Sequence, residues 1–262
     1  INNKRFTYYY IMKIAFCFLV YDQIYNLDLW NHFFSEIPSN QYSIYIHSKN
    51  KFKYQPLFEK NNIYTNAVVT NWGDISLVNA TLFLFDKAIK DNCDYFISLS
   101  SDMIPLWNFN YIKKNFDSSL FSIQPKNLTT DFQKKFNYIR HNLLDENFKN
   151  KVPFNIFEKQ NMFFGITKND LLVIQKKNLT HQFSRFTVPD EYYFINLFTF
   201  LNLKYKKINF IYVNTNPAYT SAMDFKYKDL NIKEIKKNNY LFLRKIKDVQ
   251  GGNLTNFLSS EI

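Results

Sequence analysis

Two adjacent carboxylates, Asp190 and Glu191, are the residues whose type and spacing most directly suggest acid–base chemistry. They follow Thr187-Val188-Pro189 and precede apolar residues that continue one helical face over positions 195–201. A hydroxyl residue, a proline and an acid in this order predict a helix start, with Thr187 as the N-cap. Both acids would then lie near the positive end of the helix dipole. Either they only decorate a helix N-terminus, or one of them is a general base held at a cleft.

A cluster of positive charge near the end of the chain suggests an anionic partner. The 262 residues carry a net charge of +11, and positions 204–247 contain eleven Lys and Arg against three acids. Such a segment suits nucleic acid, a membrane surface or the phosphates of a small ligand. Nucleic acid ranks lower because the segment contains strand-like runs and no recognisable nucleic-acid module. Within it, Arg244 and Lys245 are either a solvated strand end or a binding site for an anion.

Residues that bind metal ions or form disulfides are sparse. No Asp-x-Asp, CxxC or His/Cys cluster is present and the four histidines are scattered, so we expect no metal centre. Cys17 and Cys93 suggest no disulfide framework, which favours a reducing, cytoplasmic compartment over secretion and otherwise leaves the compartment open. No apolar run approaches the roughly 20 residues that cross a bilayer, so we expect no transmembrane segment.

The first hundred residues alternate between strand and helix patterns. Ile14–Val20 is continuously apolar, as expected for a strand covered on both faces. Further strands are predicted over residues 42–47, 67–70 and 94–99, and helices over 27–37 and 74–88. This alternation predicts an α/β fold of the Rossmann type, with a mixed, mainly parallel sheet and helices on both faces.

The remaining elements are expected to complete the same domain. Strands are predicted over residues 119–124, 161–167, 205–213 and 240–246, and a helix over 170–176. Positions 128–154 show no firm pattern and are expected to form a long loop with helical pieces. We predict one domain over residues 12–247. Met12 is a candidate start, which leaves residues 1–11 as a leader of uncertain status and 248–262 as a C-terminal tail.

Polar and aromatic clusters follow the predicted parallel strands. These clusters are Val20-Tyr21-Asp22, His47-Ser48-Lys49, Asn71-Trp72-Gly73 and the turn at positions 100–105. Ligands of parallel α/β sheets bind beyond the carboxyl ends of the strands. The topology therefore predicts a binding site where these clusters converge on one rim.

Six motifs in this order resemble the core-2/I-branching β-1,6-N-acetylglucosaminyltransferase family, also described as glycosyltransferase family 14. The resemblance covers nearly the whole chain from Met12 to about Lys247. Its motifs are Ile14-Ala-Phe-Cys-Phe-Leu-Val-Tyr-Asp with Leu29-Trp30 and Phe33-Phe34, Tyr42-Ser-Ile-Tyr-Ile-His-Ser, Trp72-Gly73-Asp-Ile-Ser-Leu-Val-Asn-Ala80, Phe96-Ile-Ser-Leu-Ser-Ser-Asp-Met-Ile-Pro105, Pro189-Asp190-Glu191, and Leu241-Phe-Leu-Arg-Lys245.

The resemblance implies a GT-A-like fold and an inverting transfer from a UDP-sugar to a hydroxyl of a glycan or glycosylated acceptor, without a metal ion. Glu191 would be the base, since a free glutamate is ionised at neutral pH and can accept the acceptor's proton. Asp190 would serve the helix start or orient neighbouring groups. Arg244 and Lys245 would meet the charge of the leaving diphosphate in place of a cation.

The resemblance also suggests which residues contact the substrates. Val20 and Tyr21 would flank the uracil, and His47 and Ser48 would reach the base or ribose. The sugars would face a separate group, which consists of Ser100, Ser101 and Asp102; for Asp102 the alternative is that it stabilises its own turn. Trp72 would contact the donor or cap the sheet, and we favour packing for it.

The chain departs from the animal members of the family in ways that leave its substrates open. It lacks their acidic residue near Ser48, and it has Asn108-Phe109-Asn110 where they place an acidic acceptor contact. We expect N-acetylglucosamine as the donor sugar, with xylose or another sugar as the alternative, and the acceptor stays open. A non-catalytic relative that binds a nucleotide or glycan is the alternative, followed by a basic nucleic-acid-binding protein.

Overall fold

A seven-stranded mixed sheet forms the centre of the protein in the computed structural model, which describes residues 11–123, 130–213, 224 and 230–247. The strands are β1 (Ile14–Val20), β2 (Tyr42–Ser48), β3 (Asn62–Thr65), β4 (Tyr95–Ser100), β6 (Ser119–Phe121), β7 (Gly165–Thr167) and β8 (Tyr205–Lys207). Their order in the sheet is β3-β2-β1-β4-β7-β6-β8, and only β7 runs antiparallel to its neighbours β4 and β6. The predicted mixed, mainly parallel α/β sheet is confirmed.

A smaller sheet carries the end of the described chain. Its strands are β5 (Ile104–Pro105), β9 (Ile211–Val213) and β10 (Phe242–Arg244). In this sheet β10 lies in the middle, antiparallel to β5 and parallel to β9. Because β5 follows directly after β4, the pairing brings Arg244 to the carboxyl end of the large sheet.

Helices cover both faces of the large sheet. They are α1 (Leu27–Ser35), α2 (Pro56–Glu59), α3 (Ser76–Lys90), α4 (Phe109–Lys113), α5 (Asp131–Asn142), α6 (Glu146–Lys151), α7 (Lys168–Lys177), α8 (Tyr193–Phe200) and α9 (Ile232–Lys237). None of the helices in these described ranges is long and apolar enough to cross a membrane.

The continuous apolar run of β1 follows from burial on both faces. Phe16 and Phe18 belong to one core together with the aromatic side chains of α1, whereas Ala15 and Cys17 belong to a second core with α3. Successive side chains of a strand point to opposite faces, so a strand between two helical layers needs apolar residues at every position.

The predicted third strand is wrong. It was expected at residues 67–70, but β3 lies earlier and pairs in parallel with β2 from Asn62 to Thr65. The strand ends where Asn66 adopts a left-handed conformation with φ of 57°. Val69 is exposed, so the two valines that suggested a buried strand belong to a loop.

Several later elements differ from the predictions in their bounds. The strand expected over 205–213 is divided, because β8 pairs with β6 in the large sheet and β9 pairs with β10 in the small one. The strands expected over 161–167 and 240–246 shorten to β7 and β10, and the strand expected over 119–124 shortens to β6, with position 124 outside the described residues.

The segment expected to be a long loop with helical pieces contains α5 and α6. Thr130 and Gln133 form a capping box at the start of α5, a local signal that the sequence carries and that predicts a helix there. Positions 128–129, most of the proposed leader and the whole proposed tail lie outside the described residues.

Candidate functional site

Three segments meet at the carboxyl end of β4. The backbone N–H of Tyr25 donates to the carbonyl of Ser101 at 2.9 Å, and that of Ile246 donates to the carbonyl of Asp102 at 3.0 Å. The side-chain amide of Asn26 donates to the carbonyl of Ile246 at 2.8 Å. The loop after β1, the end of β4 and the end of β10 are therefore tied into one rim.

Arg244 is held in a fixed position at this rim. Its Nε donates to Asp102 Oδ1 at 2.9 Å, and the hydroxyl of Ser100 donates to the same oxygen at 2.5 Å. The guanidinium also lies 4.9 Å from the centre of the Phe163 ring. An arginine held by a carboxylate and an aromatic face loses little further freedom when it binds an anion.

Lys245 differs from its neighbour Arg244 because none of the described residues pairs with its ammonium group. The side chain is half-buried, and among the described residues it has no hydrogen bond or ion pair. Lys247, two residues on, forms an ion pair with Asp224 at 3.0 Å. Lys245 is thus a cation at the rim whose charge is not already neutralised.

The two carboxylates do not begin a helix in the predicted way. Pro189–Glu191 forms a short 3-10 turn, α8 begins at Tyr193, and neither start has a side-chain cap. The hydroxyl of Thr187 accepts a hydrogen bond from Arg140 Nη2 at 2.7 Å, so it is not the N-cap. Asp190 lies in the first turn of this short 3-10 helix.

Long-range hydrogen bonds fix the turn that carries the carboxylates. Val188 is left-handed, with φ of 53°, and its N–H donates to the carbonyl of Gly73 at 2.8 Å. Gly73 has φ of 77°, a conformation that glycine adopts without steric cost. On the other side, the N–H of Gln160 donates to the carbonyl of Glu191 at 2.8 Å. The turn is therefore held from both sides.

Glu191 has one paired oxygen and one open oxygen. Its Oε2 lies 2.8 Å from Lys159 Nζ, and both side chains are 28% exposed. Among the described residues Oε1 has no hydrogen-bond partner. A carboxylate held by one oxygen with the other oxygen open to a ligand is suited to accept a proton.

Asp190 is buried beside Glu191, and its Oδ1 has no hydrogen-bond partner within the part of the chain that the structure describes. Burial, followed by the negative charge of Glu191, raises the pKa of the Asp190 carboxyl to about 7, while the positive charges of Lys159 and Arg244 lower the pKa to a smaller extent. Contacts also link the carboxylate pair to Arg244, because the N–H of Gln160 donates to the carbonyl of Glu191 and Phe163, three residues further on, lies against the guanidinium of Arg244.

Replacing Asp190 with asparagine is expected to change how stability depends on pH. The pKa of Asp190 in the folded protein is above the ordinary value of 3.8, so its charged form destabilises the fold increasingly as pH rises from the ordinary value to about 7. Asparagine does not titrate. Relative to wild type, Asp190→Asn should therefore gain about 2–3 kcal/mol of unfolding free energy between about pH 5 and about pH 8.

Urea unfolding at both pH values, with Asp131→Asn on α5 as a control, measures this change. Asp131 is exposed, so its substitution should leave the pH dependence of wild type unaltered. An Asp190→Asn curve parallel to that of wild type would contradict the assigned burial of charge.

The residues expected to form the nucleotide pocket differ in their exposure and in their hydrogen bonds. Tyr21 is exposed, with Lys49 Nζ 5.3 Å from its ring centre, whereas Val20 is buried.

His47 is buried, which lowers the pKa of its ring, and Nε2 accepts a hydrogen bond from the N–H of Val68. The hydroxyl of Ser48 lies 3.1 Å from the carbonyl of Tyr21 and 2.7 Å from that of Asn50. His47 and Ser48 therefore hold neighbouring loops, and their contact with a nucleotide stays a prediction.

Trp72 does not pack against the sheet, so the role that we favoured for it is wrong. Its side chain is 88% exposed, next to Gly73, which is bonded to the turn of the two carboxylates. Trp72 lies in the loop between β3 and α3, which the prediction had replaced by a strand at 67–70. Trp72 is thus available to a ligand, and its proposed substrate contact stays a prediction.

Sequence reasoning missed the partners that organise the site. Lys159 pairs with Glu191, Phe163 lies under Arg244, and Arg140 binds the Thr187 backbone at 3.0 Å. No local spacing signals these contacts. Within the ranges that the structure describes, no three His, Cys, Asp or Glu side chains come together in a way that would hold a metal ion.

Two comparisons with known proteins point in the same direction. The profile of the family described as "Branch: Core-2/I-Branching enzyme" matches residues 14–238. The chain is also similar to Glycosyltransferase BC10 of Oryza sativa subsp. japonica, with 31% identity over 106 residues, or 38% of this chain and 26% of the rice protein. The match thus spans about a quarter of the length of the curated relative. The family match ends before Arg244 and Lys245.

Proposed function

Because the chain belongs to the Core-2/I-Branching enzyme family, we propose that it is an inverting, metal-independent glycosyltransferase. It moves a sugar, N-acetylglucosamine or xylose, from a UDP-sugar to a hydroxyl of a glycan or glycosylated acceptor. One observation carries the proposal. A carboxylate with an open oxygen, Glu191, adjoins Asp190, on whose charge the fixed arginine Arg244 acts, and Arg244 is followed directly by Lys245, which has no ion pair among the described residues.

The proposed reaction is a single displacement at the anomeric carbon. The acceptor hydroxyl oxygen attacks this carbon and its proton passes to Oε1 of Glu191. The bond between the anomeric carbon and the diphosphate oxygen breaks on the opposite face, and UDP leaves with the electron pair. One carboxylate positioned for the incoming nucleophile is the requirement for inversion.

The charges around the site support this division of roles. Lys159 fixes Oε2 of Glu191 and leaves Oε1 for the acceptor proton. Asp102 and Ser100 hold Arg244, so that its charge is organised before the diphosphate departs. Preorganised cations of this kind stabilise a developing negative charge by several kcal/mol, which is the task that a metal ion performs in other transferases.

Asp102 takes a different part in this proposal from the sugar contact that we expected. Its Oδ1 accepts hydrogen bonds from both Ser100 and Arg244, and the side chain is buried. We therefore propose that Asp102 and Ser100 position Arg244, while Ser101 and Trp72 remain candidates for direct contact with the sugars.

UDP is expected to stabilise the protein against heat in the presence of EDTA. A ligand that binds only the folded state stabilises it by about 2.7 kcal/mol at a hundred times its Kd. For a chain of this size that free energy should raise Tm by roughly 5 °C or more. Differential scanning fluorimetry with UDP, with uridine and with duplex DNA, all in EDTA, tests the prediction.

The three ligands separate the alternatives. Uridine lacks the diphosphate and should give a smaller shift than UDP. A shift with DNA and none with UDP would refute the proposal in favour of a nucleic-acid-binding protein. A UDP shift without hydrolysis of any UDP-sugar and without transfer would identify a non-catalytic relative, and the UDP-sugar that is hydrolysed in the absence of acceptor identifies the donor.

A further inference from the structure

Helix α5 packs against the protein through its polar side chains. The hydroxyl of Tyr192 donates to Asn137 Oδ1 at 2.6 Å, and Arg140 donates to the carbonyl and the hydroxyl of Thr187. A ring nitrogen of His141 lies 2.8 Å from the carbonyl of Val152. The side of this helix that meets the rest of the protein is therefore bound by hydrogen bonds.

The apolar side chains of α5 are exposed. Phe132, Phe136 and Ile139 follow one another at spacings of four and three, so they lie along one stripe of the helix, and they are 65%, 38% and 46% exposed. The rings of Phe132 and Phe136 lie 4.6 Å apart. Because they contact each other, the stripe is a continuous apolar surface.

A second exposed apolar group lies on another side of the helix. Tyr138 is exposed and its ring lies 5.4 Å from the ring of Phe154, which is also exposed. Helix positions one or two residues apart do not face each other, so Tyr138 does not belong to the stripe. We call the stripe itself, which consists of Phe132, Phe136 and Ile139, the α5 face.

This arrangement reverses the usual polarity of a surface helix. Surface helices normally bury their apolar stripe and expose their polar side. A contiguous exposed apolar patch in a soluble domain generally marks an interaction site for a protein, a membrane or a ligand. The hydrogen bonds on the inner side hold the α5 face outward, where a partner can reach it.

The charges around the face favour an anionic partner. Helix α5 carries Lys134, Lys135 and Arg140 against Asp131, in a protein with a net charge of +11. Lys134 pairs with Asp131 at the exposed surface, whereas Lys135 has no ion pair among the described residues. A second copy of the chain would bring the same positive charges into contact, which disfavours self-association through this face.

We propose that the α5 face docks the protein onto an anionic lipid membrane. Phenylalanine and isoleucine beside lysine are the residues of helices that lie in the plane of a membrane interface, where apolar burial and attraction to anionic headgroups act together. A soluble glycan fits less well, because Ile139 offers neither a ring face nor a hydrogen-bonding group to a sugar. Arg140 binds Thr187, so docking would also hold the segment of Glu191 near the headgroups. This last consequence rests on the proposed function.

Sedimentation with lipid vesicles tests the docking without any measurement of activity. The wild-type chain should bind vesicles of phosphatidylcholine with about a third phosphatidylglycerol, and bind pure phosphatidylcholine vesicles far less. The double substitution of Phe132→Ser and Ile139→Ser should weaken the binding to anionic vesicles at least about tenfold, because both side chains lose their apolar burial in the interface. Lys134→Glu with Lys135→Glu should remove the preference for anionic lipid.

Leu172→Ser on α7 is the matched control, since it removes an apolar side chain that is 44% exposed on a different helix. It should bind as the wild type does, and all variants should keep the wild-type Tm because the changed side chains are exposed.

Absence of binding to anionic vesicles at low salt would overturn the proposal. So would unchanged vesicle binding by the double variant, or an effect of that variant only on self-association or on the binding of soluble oligosaccharides. UDP stabilisation in EDTA is independent of all these results, so a failure here leaves the proposed function testable by itself.

Discussion

Glu191→Gln is expected to reduce sugar transfer by about 10³-fold while UDP affinity stays at the wild-type value. General base catalysis typically contributes between about 10² and 10⁴ in rate, and an amide cannot accept the proton of the acceptor hydroxyl. Glutamine has the shape of glutamate and can keep a hydrogen bond at the position of Oε2, so the turn that carries it should not move. Steady-state transfer rates and UDP thermal shifts on the same preparation measure both quantities.

A second carboxylate substitution makes the result specific. Glu36 ends α1 at the opposite end of the sheet and is exposed, so Glu36→Gln removes the same charge far from the rim. It should transfer sugar at the wild-type rate. If Glu191→Gln kept full activity, Glu191 would not be the base, and Asp190, its buried neighbour, would be the next carboxylate to consider.

The central part of the fold was predictable because local sequence determines it. β1 is apolar at every position, and β2 and β4 have apolar or aromatic residues at most of theirs, as expected where both faces of a parallel sheet are buried. The bounds of the later strands were not predictable in the same way. Residues 205–213 read as one strand, but β8 and β9 belong to different sheets, and only long-range pairing decides where one ends.

The rim on which the candidate site lies was predictable, and the partners of its residues were not. The carboxyl ends of parallel strands point to one rim, so the topology alone brings Tyr21 and Ser101 to the same side. The pairing of Arg244 with Asp102 joins residues 142 positions apart, and that of Glu191 with Lys159 joins two surface segments. Such pairs depend on how the loops are packed, and no spacing in the sequence encodes them.

The predicted helix start at Thr187 failed for the same reason. The residue types around Thr187 fit an N-cap. The Thr187 hydroxyl, however, accepts a hydrogen bond from Arg140, and the N–H of Val188 donates to the carbonyl of Gly73. These two long-range hydrogen bonds outweigh the local preference and turn the segment into a short 3-10 turn. The local rule described the residue types correctly, whereas tertiary contacts decided the conformation.

The cations of the site differ in how much charge they can offer to a diphosphate. Arg244 is already paired with Asp102, so part of its charge is neutralised before any ligand arrives. Lys245 has no such partner among the described residues and is half-buried, where water screens its charge less than at an open surface. We therefore expect Lys245 to provide the larger share of the stabilisation of the leaving group.

Lys245→Ala is accordingly expected to lower kcat/KM for transfer by about 10²–10³-fold, since removing one preorganised charge at a developing anion typically has an effect of this size. The same substitution should reduce the Tm shift caused by UDP. Lys247→Ala removes the same side chain two residues away, where the ammonium is exposed and paired with Asp224, and it should retain most of the activity. Transfer assays and UDP titrations in EDTA on both variants make the comparison. Equal losses in the two variants would mean that the general positive charge of this segment, and not a specific contact of Lys245, attracts the nucleotide. If neither variant lost activity, the diphosphate would have to be bound elsewhere on the rim.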